Sequence, residues 1–194
     1  MDVKFVVFVI ITYLIASIPF GYIVGKIFGK DITKEGSGNI GATNVTRTIG
    51  KKAGALVLIL DFLKGFLPVY IAQSIFWDTL QISIIAITAV IGHCFSIFMK
   101  FRGGKGVATG FGVLTALSAK VAFIVFMVWL GTFLVSGYVS LASIISASLS
   151  WIIFFYIEKD FYLTTAVFLS SLIIFLKHSS NIERLIEGKE SRFL

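Results

Sequence analysis

The sequence predicts an all-α integral membrane protein: a bundle of seven transmembrane helices, some of them short, with the N-terminus outside and the C-terminus cytoplasmic. Three observations carry this. Hydrophobic residues make up 57% of the 194 and charged residues 14%, with a mean hydropathy of +0.97, far from the profile of a soluble domain. The apolar residues come in runs of about membrane length. Cations gather in the polar breaks between those runs. With about 20 apolar residues needed per straight span, residues 1–194 read as a single membrane-embedded domain with no separate soluble part.

The first run, 5–28, is too long for a signal-peptide core, has only Lys4 before it and lacks an A-x-A cleavage pattern, so it reads as a span. Ser17 and Pro19 interrupt it and predict a kink. Lys51 and Lys52 mark an interface before a second helix at about 53–77, where Asp61 and Lys64 lie three apart on one face and are too costly to meet lipid. An ion pair that orients helices and a role at a substrate site are both open for them. A third span covers about 80–99 and ends in Gly92-His93. The stretch 107–135 is long enough for one helix, but Ser118-Ala119-Lys120 divides it. Residues 107–118 would then rise only about 18 Å, short of the bilayer core, and leave an indentation in the bundle. The last two spans fall at about 141–157 and 161–176. In the polar tail beyond them, Ile182, Leu185 and Ile186 predict a short amphipathic helix against the bundle.

Seven spans place the termini on opposite faces, and charge supports that count. Thirteen of the seventeen Lys and Arg residues fall around 26–52, 100–105 and the tail, against Lys4, Lys120 and Lys159 on the other side and Lys64 within a span. The positive-inside rule then puts the thirteen in the cytoplasm. The net charge of +7 reports orientation and anionic membrane lipid, not nucleic acid. A single cysteine, Cys94, excludes an internal disulfide.

Two glycine-rich loops share the cytoplasmic side. Gly36-Ser37-Gly38-Asn39-Ile40-Gly41 opens a polar stretch running through Thr43 and Asn44 to Arg47, and such a loop can turn through positive φ and aim successive N–H groups at a phosphate. It spells G-x-G-x-x-G, but apolar membrane-length runs flank it rather than a βαβ unit, so a dinucleotide fingerprint is rejected. The phosphate-loop pattern fails as well, because Ala42 stands where lysine is required. The second loop, Gly103-Gly104-Lys105-Gly106, again offers N–H groups, now around a lysine favoured as a phosphate contact. On this topology Ser37, Asn39, Asn44, Arg47, Lys105, His178 and Asn181 share one membrane face, as a site for more than one phosphate group would need.

With these residues placed, the chain resembles the bacterial acyl-phosphate:glycerol-3-phosphate acyltransferases of the PlsY type. The match rests on GSGNIGATNVTR at 36–47, LDFLKG at 60–65, GH at 92–93 leading to FRGGKGVATG at 101–110, and HSSNIERLIEGKE at 178–190. Ser96 and Ser179 depart from the family, which usually has proline and a basic residue there. The resemblance implies transfer of a fatty acyl group from acyl phosphate to the sn-1 hydroxyl of glycerol 3-phosphate, giving 1-acylglycerol 3-phosphate and phosphate at the cytoplasmic face of the bacterial inner membrane. It implies catalytic and positioning roles for Ser37, Arg47, Lys105, His178 and Asn181. Substrate or phosphate binding is expected of Gly36, Gly38, Asn39, Gly41, Thr43, Asn44, Lys64, His93, Gly103 and Gly104, with support from Asp61, Arg184 and Glu190. The general base stays open between His93, His178 and the substrate's own phosphate.

No cofactor is expected, and no metal, because Asp31, Glu35, Glu183, Glu187 and Glu190 are scattered. A monomer is expected to suffice. An acyltransferase with an H-x-x-x-x-D pair is disfavoured, since Phe98 and Glu183 stand five residues after the two histidines. A phosphate-ester transporter is disfavoured by the absence of an internal repeat.

Overall fold

The computed structural model describes residues 2–193, which form ten α-helices and one short 3-10 turn. In chain order these are α1 (Val3–Ser17), α2 (Phe20–Ile27), α3 (Ala42–Thr48), α4 (Lys51–Ile75), α5 (Thr79–Cys94), α6 (Val107–Leu117), α7 (Ala119–Ser136), α8 (Val139–Glu158), α9 (Phe161–Lys177) and α10 (Ser179–Ile186). Five spans, Val3–Ile27, Lys51–Ile75, Thr79–Met99, Ala119–Ser136 and Val139–Glu158, are long and apolar enough to cross a membrane. The α9–α10 pair, bent by 54°, makes a sixth if counted as one. The seventh expected span is α6, and its 11 residues rise only about 16 Å, so the predicted indentation is present while the count by length stops at six.

Local chemistry sets the helix ends. Asp78, Ser118 and Asp160 cap α5, α7 and α9 by accepting from the backbone N–H groups of Leu80 (3.0 Å), Val121 (3.2 Å) and Leu163 (2.8 Å). Gly137 closes α7 in the left-handed conformation, with φ of 74°. At the predicted kink the chain breaks between α1 and α2, and the break leaves carbonyls that lipid cannot solvate. They are taken from inside: Ser96 Oγ donates to the Ser17 carbonyl at 2.5 Å, and Lys64 Nζ to that of Ile18 at 2.7 Å. Ser96, a departure from the family pattern, thereby has a structural task.

Helix α4 is the central element, packed against α6, α3 and α5, while α8 joins α7 to α9. The α4–α6 contact is close because glycines face backbone on both sides. A Cβ on Gly65 would run into the Thr109 carbonyl, and one on Gly112 into that of Phe62. The predicted amphipathic tail helix exists as α10 and rests on α8 and α9, with Ile182 and Leu185 half-buried, Asn181 buried and Ile186 82% exposed.

Two outcomes test this arrangement. Gly112→Ala separates α4 from α6 and lowers stability by about 1–3 kcal/mol, read as a lower unfolding midpoint in detergent. Ser37→Cys and Lys120→Cys, introduced singly against the buried Cys94, react with impermeant thiol reagents from opposite sides of the membrane.

Candidate active site

A cleft of about 1000 Å³ opens where the glycine loops, the α7–α8 turn and the tail meet. Arg47, Lys105, His178, Asn181, Arg184 and Glu190 form its polar part. Below them, Phe111, Phe126, Trp129 and Phe133 of α6 and α7 line one wall, and serines of α8 and α9 the other.

The first loop is organised by a single buried amide. Asn44 Nδ2 donates to the carbonyls of Ile32 (3.1 Å), Glu35 (3.0 Å) and Asn39 (2.9 Å), and Oδ1 accepts from Ser37 N–H at 2.9 Å. Gly36 and Gly38 supply the positive φ values, 58° and 69°, that the turns require. This corrects the expected cradle. The N–H groups of Ser37, Gly38 and Gly41 are spent on Asn44, the Glu35 carbonyl (3.0 Å) and Asn39 Oδ1 (2.8 Å), and the Asn44 amide is engaged in holding the loop. The cleft is lined here by Ser37, Asn39, Thr43, Asn44, Thr46 and Arg47, together with Gly36, Gly41 and Ala42.

The second loop is corrected in the same way. Gly103 and Gly104 donate their N–H groups to the Cys94 and His93 carbonyls, both at 3.2 Å, and lie outside the cleft. Close packing is what these glycines provide: a Cβ on Gly103 would strike the His93 carbonyl, and one on Gly104 the His93 ring. Gly106 sits against Val90, Cys94 and Ile174, so the loop has folded back into the bundle and carried Lys105 with it.

Lys105 Nζ donates to Asn181 Oδ1. The Asn181 amide is turned that way by Glu190, whose Oε1 accepts from Asn181 Nδ2 at 2.6 Å and from Ser140 Oγ at 2.8 Å, while Oε2 holds Arg184 Nε at 2.7 Å. Burial alone would raise the Glu190 carboxyl, but these three donors hold it below the usual range, and it stays a carboxylate. Burial lowers Lys105 to about 8, helped by Arg184 and Arg47 and opposed by Glu190. His178, buried just beyond α9, is lowered to about 4, chiefly by burial. Its Nδ1 faces the Ile174 carbonyl at 2.8 Å, and since a carbonyl only accepts, the proton is on Nδ1 and Nε2 carries a lone pair.

Arg47 reaches the site across the tail, donating Nη2 to the Ser191 carbonyl at 3.1 Å with its guanidinium 5.8 Å from the Phe193 ring. Phe193 N–H in turn bonds the Gly137 carbonyl at 2.9 Å. Asp61, Lys64 and His93 form a separate buried cluster in the bundle. Asp61 and His93 touch the cleft and Lys64 does not.

Sequence reasoning missed Ser140, the anchor of Glu190, and the Ser191–Phe193 strap over Arg47. Ser140 had a signal: it starts a serine series at 140, 143, 146 and 150 whose helical spacing draws a polar stripe on an apolar span. The strap had none.

A family model described as glycerol-3-phosphate acyltransferase matches residues 6–188. Among curated relatives, the glycerol-3-phosphate acyltransferase of Aquifex aeolicus (strain VF5) is 47% identical over 188 residues, covering 95% of this chain and 97% of its own. That of Wolbachia pipientis subsp. Culex pipiens (strain wPip) is 46% identical over 190, covering 97% and 98%. Two crystal structures of PlsY (YgiH), an integral membrane glycerol 3-phosphate acyltransferase, superpose on it at 43% identity over 98% of this chain and 96% of theirs. The TM-score is 0.96 for the glycerol 3-phosphate form and 0.93 for the lysophosphatidic acid form. Matched over nearly its whole length in both sequence and backbone, the chain belongs to the PlsY family of membrane-embedded glycerol-3-phosphate acyltransferases.

Proposed function

We propose that this protein transfers a fatty acyl group from acyl phosphate to the sn-1 hydroxyl of glycerol 3-phosphate, as a monomer in the bacterial inner membrane with its cleft open to the cytoplasm. One observation carries this reading: Arg47, Lys105, His178 and Asn181, from three distant segments, converge on a cleft whose deeper walls are largely apolar. The cations suit two phosphate groups, and the apolar depth suits one fatty chain. Arg47 holds phosphate with its planar fork and Lys105 acts as a point charge. Ser37 and Thr43 add hydroxyl donors from the first loop, and Glu190 and Arg184 keep Asn181 aimed.

In the reaction the sn-1 oxygen attacks the acyl carbonyl carbon. The new ester C–O bond forms, the C–O bond to phosphate breaks, and inorganic phosphate leaves with the bonding pair. Acyl phosphate is a mixed anhydride, so holding two anions and aligning them is most of the task. The hydroxyl proton goes to the phosphate of glycerol 3-phosphate, whose second pKa of about 6 lies nearer working pH than the pKa of His178. A neutral His178 with Nε2 free orients the hydroxyl. His93 packs its ring under Gly104 at the margin of the cleft.

Purified, lipid-reconstituted protein releases phosphate from palmitoyl phosphate only when glycerol 3-phosphate is present; no release from folded protein overturns the reading. Arg47→Lys raises the KM for glycerol 3-phosphate by about tenfold despite the conserved charge, as loss of a charge-assisted hydrogen bond of about 1.5 kcal/mol requires. Because Lys105 is charged below about 8 and neutral above it, kcat/KM for glycerol 3-phosphate falls as pH rises through that value. In Lys105→Arg, which stays charged, that alkaline fall disappears.

A further inference from the structure

We infer that Asp61, Lys64 and His93 are a buried positioning cluster that fixes Lys105 in the cleft without themselves holding substrate. The inference rests on the reading of Lys105 as a phosphate ligand. All three residues are at least nine-tenths buried within the spans, where ionisable groups are costly unless paired. A buried ion pair is also not a dependable source of stability, so its presence here asks for another reason.

The contacts supply one. Lys64 Nζ lies 2.8 Å from Asp61 Oδ1, and its bond to the Ile18 carbonyl fastens α4 to the break between α1 and α2. His93 Nδ1 lies 3.7 Å from the same carboxylate oxygen. The side-chain cluster sets how α4 and the end of α5 sit against each other, and main-chain carbonyls of those two helices then make two ties to the chain on either side of Lys105. Ahead of it, the His93 carbonyl accepts the Gly104 N–H, and the His93 ring fills the space a side chain at 104 would need. Behind it, the Asp61 carbonyl accepts Thr109 Oγ1 at 2.9 Å, in the first turn of α6. Lys105 is therefore held at its backbone from both directions. A lysine side chain is costly in entropy to order, so anchoring its backbone reduces what substrate binding must supply.

A cluster that acts through Lys105 differs from one that merely holds the bundle together in a double-mutant cycle. Phosphate-release kinetics on the full chain in proteoliposomes would compare Lys105→Ala, the paired change Asp61→Leu with Lys64→Met, and all three together. The paired change leaves no orphan charge, and helicity and unfolding midpoint establish that it folds. It is expected to raise the KM for glycerol 3-phosphate about tenfold, the size typical of removing a group that orients a ligand. In the Lys105→Ala background the same change is expected to alter KM by less than about twofold. His93→Phe, which keeps a ring beneath Gly104, is expected to stay nearer the wild-type KM than His93→Ala.

Effects that multiply in full, or a wild-type KM in the folded paired variant, overturn the inference. A wild-type KM in Lys105→Ala alone overturns the parent assignment instead. Should the paired variant not fold, equal KM values for His93→Phe and His93→Ala overturn the inference on their own.

Discussion

Helix α6 rises about 16 Å, roughly half of the bilayer's hydrocarbon core, and the rest of the molecule accommodates that shortness. To start so short a helix inside the bundle, the chain leaving α5 has to turn back inward. Lys100 and Phe101, both at positive φ, make the turn, and Gly103 and Gly104 pack the returning segment onto the end of α5. Lys105 is delivered to the cleft as a consequence, and α6 residues line one of its walls.

A second constraint is that polar backbone inside a membrane protein must find partners within it. The break at Pro19 frees carbonyls, and Ser96 and Lys64 reach them from α5's end and from α4. Lys64 needs a counter-charge once buried, and Asp61 supplies it. What begins as the repair of a broken helix thus ties the first, fourth and fifth helices to the floor of the cleft. Glu190 does comparable work at the rim, where one carboxylate receives Ser140, Asn181 and Arg184 and gathers the tail, α8 and α10 around Lys105.

The division of the cleft into a cationic rim and a largely apolar depth matches a family that joins glycerol 3-phosphate to a fatty acyl group in phospholipid synthesis. Few of the glycine N–H groups are left to bind anything, because hydrogen bonds within the loops absorb them. Arg47 donates to the tail carbonyl of Ser191.

The sequence by itself determined the membrane class, the helix positions to within a few residues, the short helix after Lys105 and the kink at Pro19, because hydropathy, run length and proline act locally. It also brought Lys105, His178 and Asn181 together as candidates through charge asymmetry and motif. Only the tertiary structure decided that Gly103 and Gly104 bond the Cys94 and His93 carbonyls, that Asn44 ties the first loop together, that Ser140 anchors Glu190, and that the tail reaches Arg47. Those outcomes depend on which partner takes each N–H group and carbonyl. That choice is made by distant segments meeting in space, and neither composition nor spacing records it.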